Sequence, residues 1–338
     1  GFQGKPQAAG TFWRVPHLEH SDVTVIIPVG DDHEQYLPDA LDSLLAQTYS
    51  RWDVIVVDDT TKQAINVDVI GAPYATLIRT GQGGKKGPGF ARNLAAKSAS
   101  TKYLLFLDSD DYLVPEALAV MLEARRRTNA AFVYPDGYHE REGKIYRTEA
   151  PDYIQRFWDM DGQIPVTCLM SADAFKAVQG FDETLTGWED RDLFIRLAVE
   201  GHCGSRVAAP LFVYRISAGF RREAAAKNET ALKQAMLSKY SKYVNGAEMC
   251  GCKGGSSTVN AAGYEGSGDV LGSAGNVSEI LEFSGAGSGL RMFKGFEGRA
   301  YWGANSAMGR RVEAHPADVQ KLLETGMWRR PPQVVVNE

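Results

Sequence analysis

The apolar run Tyr103-Leu104-Leu105-Phe106-Leu107 ends in Asp108-Ser109-Asp110-Asp111. A strand that stops on several carboxylates gathers negative charge at one point. That charge repels itself unless a cation neutralises it. Hard divalent ions with oxygen ligands do this well, and they commonly bridge a carboxylate to a phosphate. The plainer alternative is a loop whose acids cap the helix that begins near Pro115-Glu116-Ala117-Leu118.

Four further groups could act with this cluster. Gly87-Pro88-Gly89-Phe90-Ala91-Arg92-Asn93 precedes a helix, where free N–H groups could meet an anion. Arg92 could fork onto a carbonyl or phosphate, or pair with a carboxylate of Asp58-Asp59. In Gly187-Trp188-Glu189-Asp190-Arg191-Asp192, acids at a helix start suit the dipole. One of them could instead take a proton from an attacking hydroxyl. Trp188 offers an apolar face for a sugar ring or for the core, and Asp192 and Arg196 have i,i+4 spacing. Asp58-Asp59 could accept hydrogen bonds from a base or ribose. Tyr214-Arg215, with Ser217 and Arg221-Arg222 behind it, could hold a diphosphate leaving group.

These groups need a scaffold, and the pattern from Val23 supplies one. Val23–Ile27, Val54–Val57 and Ala75–Ile78 read as buried strands. Tyr36 to Gln47 puts Leu37, Ala40, Leu41, Leu44 and Leu45 on one helical face, and Gly89 to Ala99 reads as a second helix. Alternating strand and helix predicts an α/β fold with a mainly parallel, Rossmann-like sheet covered on both faces. Ligands of such sheets bind beyond the carboxyl ends of the strands. Further on, a strand is expected at Ala131–Tyr134 and helices at Ser171–Val178 and Asp192–Glu200. Another strand is expected at Leu211–Arg215 and a long helix from Arg221 to Tyr243.

Residues 1–21 read as a tail, 22–245 as the α/β domain and 246–278 as a Gly/Ser-rich linker. Residues 279–338 read as a small β-rich module for binding or assembly. Its strand signals are 279–283, 290–293 and 299–302, with an amphipathic helix at Ala317–Leu323.

The bulk numbers exclude several classes. The chain has 338 residues, 44% hydrophobic and 23% charged, as in ordinary soluble globular proteins. A net charge of -5 gives no global drive toward nucleic acid or anionic membrane. No stretch approaches the ~18 apolar residues of a membrane span, and no secretory signal is expected. Four cysteines (Cys168, Cys203, Cys250, Cys252) make no disulfide framework in a chain of this size, and a cytoplasmic compartment is the expectation.

On these motifs the chain resembles the inverting glycosyltransferases of the GT-A fold, in the large family-two group. The matching residues are Val25–Val29, Gln47-Thr48-Tyr49, Val56–Asp59, Gly87–Asn93, Asp108–Asp111 and Gly187–Asp192, over about 22–216. The resemblance implies a nucleoside-diphosphate sugar donor, of UDP type, held with Mn²⁺ or Mg²⁺. Pro28 and Val29 would line the nucleotide pocket, and Asp58 or Asp59 would contact the base with Arg92 nearby. Asp108, beside Ser109, would approach ribose and metal, and Asp110 would bind the metal. Asp190 would be the catalytic base, Glu189 would help hold the acceptor, and Trp188 would border the donor site.

There are departures. The acidic end of the second strand continues into Thr60-Thr61 rather than Gly-Ser. The His that often follows the late Tyr-Arg is replaced by Ile216-Ser217-Ala218-Gly219. Water would then complete the metal site, or metal would bind weakly. The Gln-x-x-Arg-Trp motif of processive synthases is absent, which favours single addition. A glycan, a protein or a small molecule could be the acceptor. The last module faintly resembles short β modules of phage-encoded proteins, which would add modified DNA bases as acceptors and place the enzyme in the host cytoplasm. Two other classes compete. A nucleotidyltransferase would need a basic Gly-rich loop after the first strand, where Val29-Gly30-Asp31-Asp32-His33 is acidic. A catalytically degenerate sugar- or nucleotide-binding module draws its support from the missing His alone.

Overall fold

A computed structural model describes residues 21–216, except 62–63, 67–71, 73, 82, 142–143, 152 and 154–163. It also describes 228–241, residue 259 and the backbone of five later strands. The anticipated tail, most of the linker, Ser217, Arg221-Arg222, Cys250-Gly251-Cys252 and the Ala317–Leu323 helix lie outside these residues.

The chain order begins β1 (Val23–Val29), α1 (Leu37–Leu45), β2 (Trp52–Asp58), β3 (Thr76–Arg79), α2 (Pro88–Ser98) and β4 (Tyr103–Phe106). It continues β5 (Tyr112–Leu113), α3 (Ala117–Thr128), β6 (Phe132–Arg141), β7 (Lys144–Thr148), β8 (Leu169–Ser171) and α4 (Ala172–Ala177). Last come α5 (Glu189–Val199), β9 (Gly204–Arg215) and α6 (Glu229–Lys239). One nine-stranded sheet has the order β3-β2-β1-β4-β8-β6-β9-β5, with β7 paired to β6. The β3-β2-β1-β4 half is parallel throughout, as the continuous apolar runs require. The other half is mixed. β8 is antiparallel to both β4 and β6, while β6 and β9 run parallel.

Burial follows the period-two pattern of a strand covered on both faces. Val25, Ile27 and Val29 pack on one side with Leu37, Leu41, Leu44, Leu118 and Met121 of α1 and α3. Ile26 packs on the other with Ala91, Ala95, Phe175 and Phe194 of α2, α4 and α5.

The polar members of the Gln47-Thr48-Tyr49 motif join elements. Gln47 Nε2 donates to Ser43 O and Val114 O, and its Oε1 accepts from Leu118 N, so one amide ties the end of α1 to the start of α3. Tyr49 Oη donates to Asp22. Ser171 caps α4 through Ala174 N, as expected.

Two strands exceed expectation. β6 runs ten residues through Pro135 and Gly137, and β9 runs twelve. The β6–β9 register shifts at Asp136, a bulge that accommodates a proline with no N–H to donate. At Gly137 a Cβ would lie 2.6 Å from the Phe212 ring, so the close approach requires glycine. Asp136 is fully buried there. It accepts from Arg206 Nε (2.8 Å), Arg206 Nη2 (3.0 Å) and Ala150 N (2.9 Å).

Of the long helix expected at 221–243, Glu229–Lys239 form α6, and Met236 and Tyr240 pack against Ile195 of α5. Backbone strands β10 (Glu279–Phe283), β11 (Arg291–Lys294), β12 (Ala300–Gly303), β13 (Arg311–Ala314) and β14 (Trp328–Arg329) match the β-rich expectation for the last module. They form a β13-β10-β14 sheet and a β11-β12 pair. Val259 bridges to Val207 of β9.

Cys168 is a buried free thiol. No helix among the described residues is long and apolar enough to cross a membrane.

Asp136→Ala should lower unfolding free energy by about 3 kcal/mol, because it strips a buried carboxylate from Arg206. The midpoint of urea denaturation measures this.

Candidate active site

Asp108, after β4, and Glu189, at the start of α5, meet at Arg92. Leu107 N donates to Ile26 O, so β4 stays in register with β1 up to the acidic turn. Asp111 N then donates to Asp108 O and closes that turn. Ser109 is buried, while the side chains of Asp108 and Asp110 are 32% and 15% exposed.

Arg92 organises one flank. It projects from α2 and is only 3% exposed. Its Nη2 reaches Asp108 Oδ1 at 2.5 Å and its Nη1 reaches Glu189 Oε1 at 3.2 Å. The guanidinium carbon also lies 5.2 Å from the centre of the Phe181 ring. The pairing with Asp58-Asp59 considered from sequence does not form. Those acids face a different loop, and α2 points the guanidinium toward β4 and α5.

Asp58 and Asp59 hold the chain around them. Asp58 accepts from Thr60 N, Thr60 Oγ1 and Ile65 N. Asp59 accepts from Thr80 Oγ1, Lys86 N and Gly87 N. Asp59 thus holds the backbone just before α2, at Lys86 and the N-cap Gly87. The close fit continues at Gly84, where a Cβ would meet Thr60 O at 2.3 Å. Pro28 and Val29 end β1 as anticipated, but both are buried. The Val29 side chain belongs to the core.

α5 carries the second acidic group. Asn93 donates to Phe181 O (2.9 Å) and Glu183 Oε1 (2.8 Å) and accepts from Phe181 N (2.8 Å), which anchors the loop leading to α5. Trp188 caps the helix in a left-handed conformation (φ 61°), and Arg191 stacks over its ring at 4.0 Å. Asp190, half-buried, has its pKa raised, first by burial and then by the adjacent Glu189. Asp192 forms the expected pair with Arg196 (2.7 Å). It also accepts from Lys239 and Tyr240 of α6, which anchors α5 rather than serving the mouth.

Arg215 departs from the sequence reading. It is 9% exposed, with Nη2 on Asp39 Oδ2 at 2.9 Å and Nε near Glu140 Oε2 at 3.5 Å. The guanidinium lies against the rings of Tyr36 and Tyr112. This buried clamp is closed to a diphosphate. Its own backbone N–H donates to Asp111 Oδ1 (3.0 Å), so it braces the acidic turn from behind. The Asp111 pKa lies well above the usual carboxylate range because of burial and the neighbouring Asp110 and Asp108.

Sequence reasoning missed three acid or imidazole groups near the acidic turn. Asp39 and Glu140, the partners of Arg215, carry no motif signal. His33, in the loop after β1, places Nδ1 3.5 Å from Asp110 Oδ2. The absence of a late His was the one available signal that an imidazole could enter from elsewhere.

Fold and site together define a GT-A-type α/β domain with an acidic turn facing an acidic helix start. Residues 24–176 match the family profile described as Glycosyl transferase family 2. An uncharacterized glycosyltransferase of Haemophilus influenzae is 29% identical over 189 residues, 53% of this chain and 62% of that one. The Escherichia coli UDP-Glc:alpha-D-GlcNAc-diphosphoundecaprenol beta-1,3-glucosyltransferase WfgD is 30% identical over 112 residues, 33% of this chain and 44% of that protein. Staphylococcus aureus TarS 1-349, solved in complex with UDP-GlcNAc, superposes with a TM-score of 0.52 at 20% identity, over 60% of this chain and 61% of that one. The chain spans between 27% and 62% of the length of the first curated relatives it matches.

Arg215→Lys should lower the melting temperature, because Lys cannot replace a fork that pairs with Asp39 and lies against two rings. Thermal denaturation measures this.

Proposed function

We propose that this chain transfers a sugar from a nucleoside diphosphate to a hydroxyl acceptor, with inversion and one addition per encounter. The carrying observation is that Asp108-Asp110 and Glu189-Asp190 meet at one sheet edge. UDP is the nucleotide we favour; the UDP-sugar named for the Escherichia coli relative and the UDP-GlcNAc of the TarS complex support it. The acceptor is a glycan, a protein or a small molecule.

A divalent cation fits the residues present. Burial and Asp108 raise the pKa of Asp110, so a positive ion at this turn would relieve a real electrostatic cost. Among the described residues no group of three or more His, Cys, Asp or Glu forms a ready-made cage. Mg²⁺-type ions are commonly bound by one or two carboxylates together with substrate phosphates. Asp110 and Asp108 would hold it, with His33 beside Asp110. When bound, Mn²⁺ or Mg²⁺ offsets the charge that develops on the departing diphosphate.

The chain's own groups carry the rest. The acceptor oxygen attacks the anomeric carbon on the face opposite the diphosphate. The carbon–oxygen bond to phosphate breaks with its electron pair, and the hydroxyl proton passes to the Asp190 carboxylate. One displacement needs one base and no covalent nucleophile. Glu189, restrained by Arg92, lies next to that base. The Trp188 face, under Arg191, is where a sugar ring would pack.

The proposal is tested by turnover of a panel of nucleotide sugars with and without Mn²⁺, on the intact chain and on Asp110→Ala. Metal-dependent turnover of one donor, lost in the variant, is expected. Failure of every donor to bind or turn over would refute it.

Asp190→Asn should reduce kcat by about 10²–10⁴-fold while donor binding persists. Because the Asp190 pKa is raised, the acid limb of kcat should lie above the ordinary carboxylate range near 4. Below that limb the base is protonated and idle; above it activity is full. Glu189→Gln removes a neighbouring negative charge, so it should move the limb to lower pH. A kcat–pH profile of each variant checks both shifts.

A further inference from the structure

We infer that Arg92 is a positioning residue that sets the donor-side and acceptor-side carboxylates in register, rather than a nucleotide contact. The inference rests on the transferase reading above and extends it to a residue whose role that reading leaves open.

The geometry is specific. Arg92 lies 16 residues from Asp108 and 97 from Glu189 in sequence, yet it bonds both. Asp108 follows β4, beside Asp110, where a cation and the donor would sit. Glu189 opens α5, next to Asp190, where the acceptor hydroxyl would give up its proton. The guanidinium is planar and presents its two terminal nitrogens in a fixed fork, so its two bonds define a spacing as well as a charge balance. With its side chain only 4% exposed, it is not open to a base or ribose in the mouth.

The neighbouring residue strengthens the case. Asn93, next along α2, holds Phe181 through its backbone N–H and C=O and also binds Glu183. At Gly180 a Cβ would meet Asn93 Oδ1 at 2.4 Å, so that loop passes close against the amide. Two consecutive residues of one rigid helix therefore hold the approach to α5, one by its backbone and one by its acid. Arg92 adds the turn after β4 to the same helix. A small error in the relative placement of the reacting groups costs on the order of 10²-fold in rate, which is what such a tie would prevent.

The test is a double-mutant cycle between Asp108→Asn and Glu189→Gln, repeated in an Arg92→Lys background, with thermal stability as the first readout. Asp108 and Glu189 share Arg92 as a common partner. The two substitutions should therefore be non-additive, and the coupling should vanish once the fork is gone. Additive effects in the native background would overturn the proposal. The second readout is kinetic. Arg92→Lys should lower kcat per folded molecule by about 10²-fold, more than it raises the donor KM. A kcat within about twofold of native would leave Arg92 a purely structural residue, and a change confined to donor KM would make it a nucleotide contact; either overturns the proposal. The stability cycle needs no substrate. Failure of the native chain to turn over any nucleotide sugar would count against the transferase reading, while missing coupling would count against this one.

Discussion

Like charges brought together in a low-dielectric setting repel, and this fold brings many together. Asp108, Asp110 and Asp111 end one strand, Glu189 and Asp190 open a helix, and Asp39 and Glu140 approach from α1 and β6. The arrangement is tolerable because two arginines are buried among them. Arg92 joins Asp108 to Glu189, and Arg215 joins Asp39 to Glu140 while its backbone holds Asp111. The acidic turn is thereby braced at both ends. Between the braces lies Asp110, beside His33. Neutralising a buried carboxylate with a fixed guanidinium also orients it, so the residues that make the charge bearable also aim it.

The short motifs divide into architecture and chemistry in a way their spacing does not reveal. Gln47, Asp58, Asp59 and Asn93 are as prominent in the sequence as Asp110 or Asp190. Each is buried, with its polar atoms on nearby backbone groups or side chains. A buried polar group must find a partner, and the amides of adjoining loops are the nearest supply. These residues therefore fix the paths of loops that carry the reactive groups. The segment leading into α2 belongs with them, because the Asp59 carboxylate accepts from Lys86 N and Gly87 N.

The sheet was legible to the extent that its strands were simple. β1, β2 and β4 read directly from unbroken apolar runs, and α1 from its 3.6-residue stripe. β6 was read only to Tyr134, because Pro135 and Gly137 look like a turn. In the fold they form a bulge against Phe212, and the strand continues into a hairpin with β7. β9 was seen only in its last five residues, since Gly204 to Pro210 lacks an apolar run. Its partner β6 supplies the pairing that the local sequence does not advertise.

The sequence by itself determined which carboxylates end strands and open helices, because apolar periodicity and strand punctuation are local properties of the chain. It also determined the order of the motifs, and with it the class of fold. Only the tertiary structure decided how each charge is met. Arg92 was free on paper to serve Asp58-Asp59, a phosphate or a carbonyl, and Arg215 to serve a diphosphate. Which partner an arginine takes depends on residues up to 176 positions away in the chain, as with Arg215 and Asp39. Local pattern carries no information about such a meeting; the crossing of α1, α2 and α5 over one twisted sheet does.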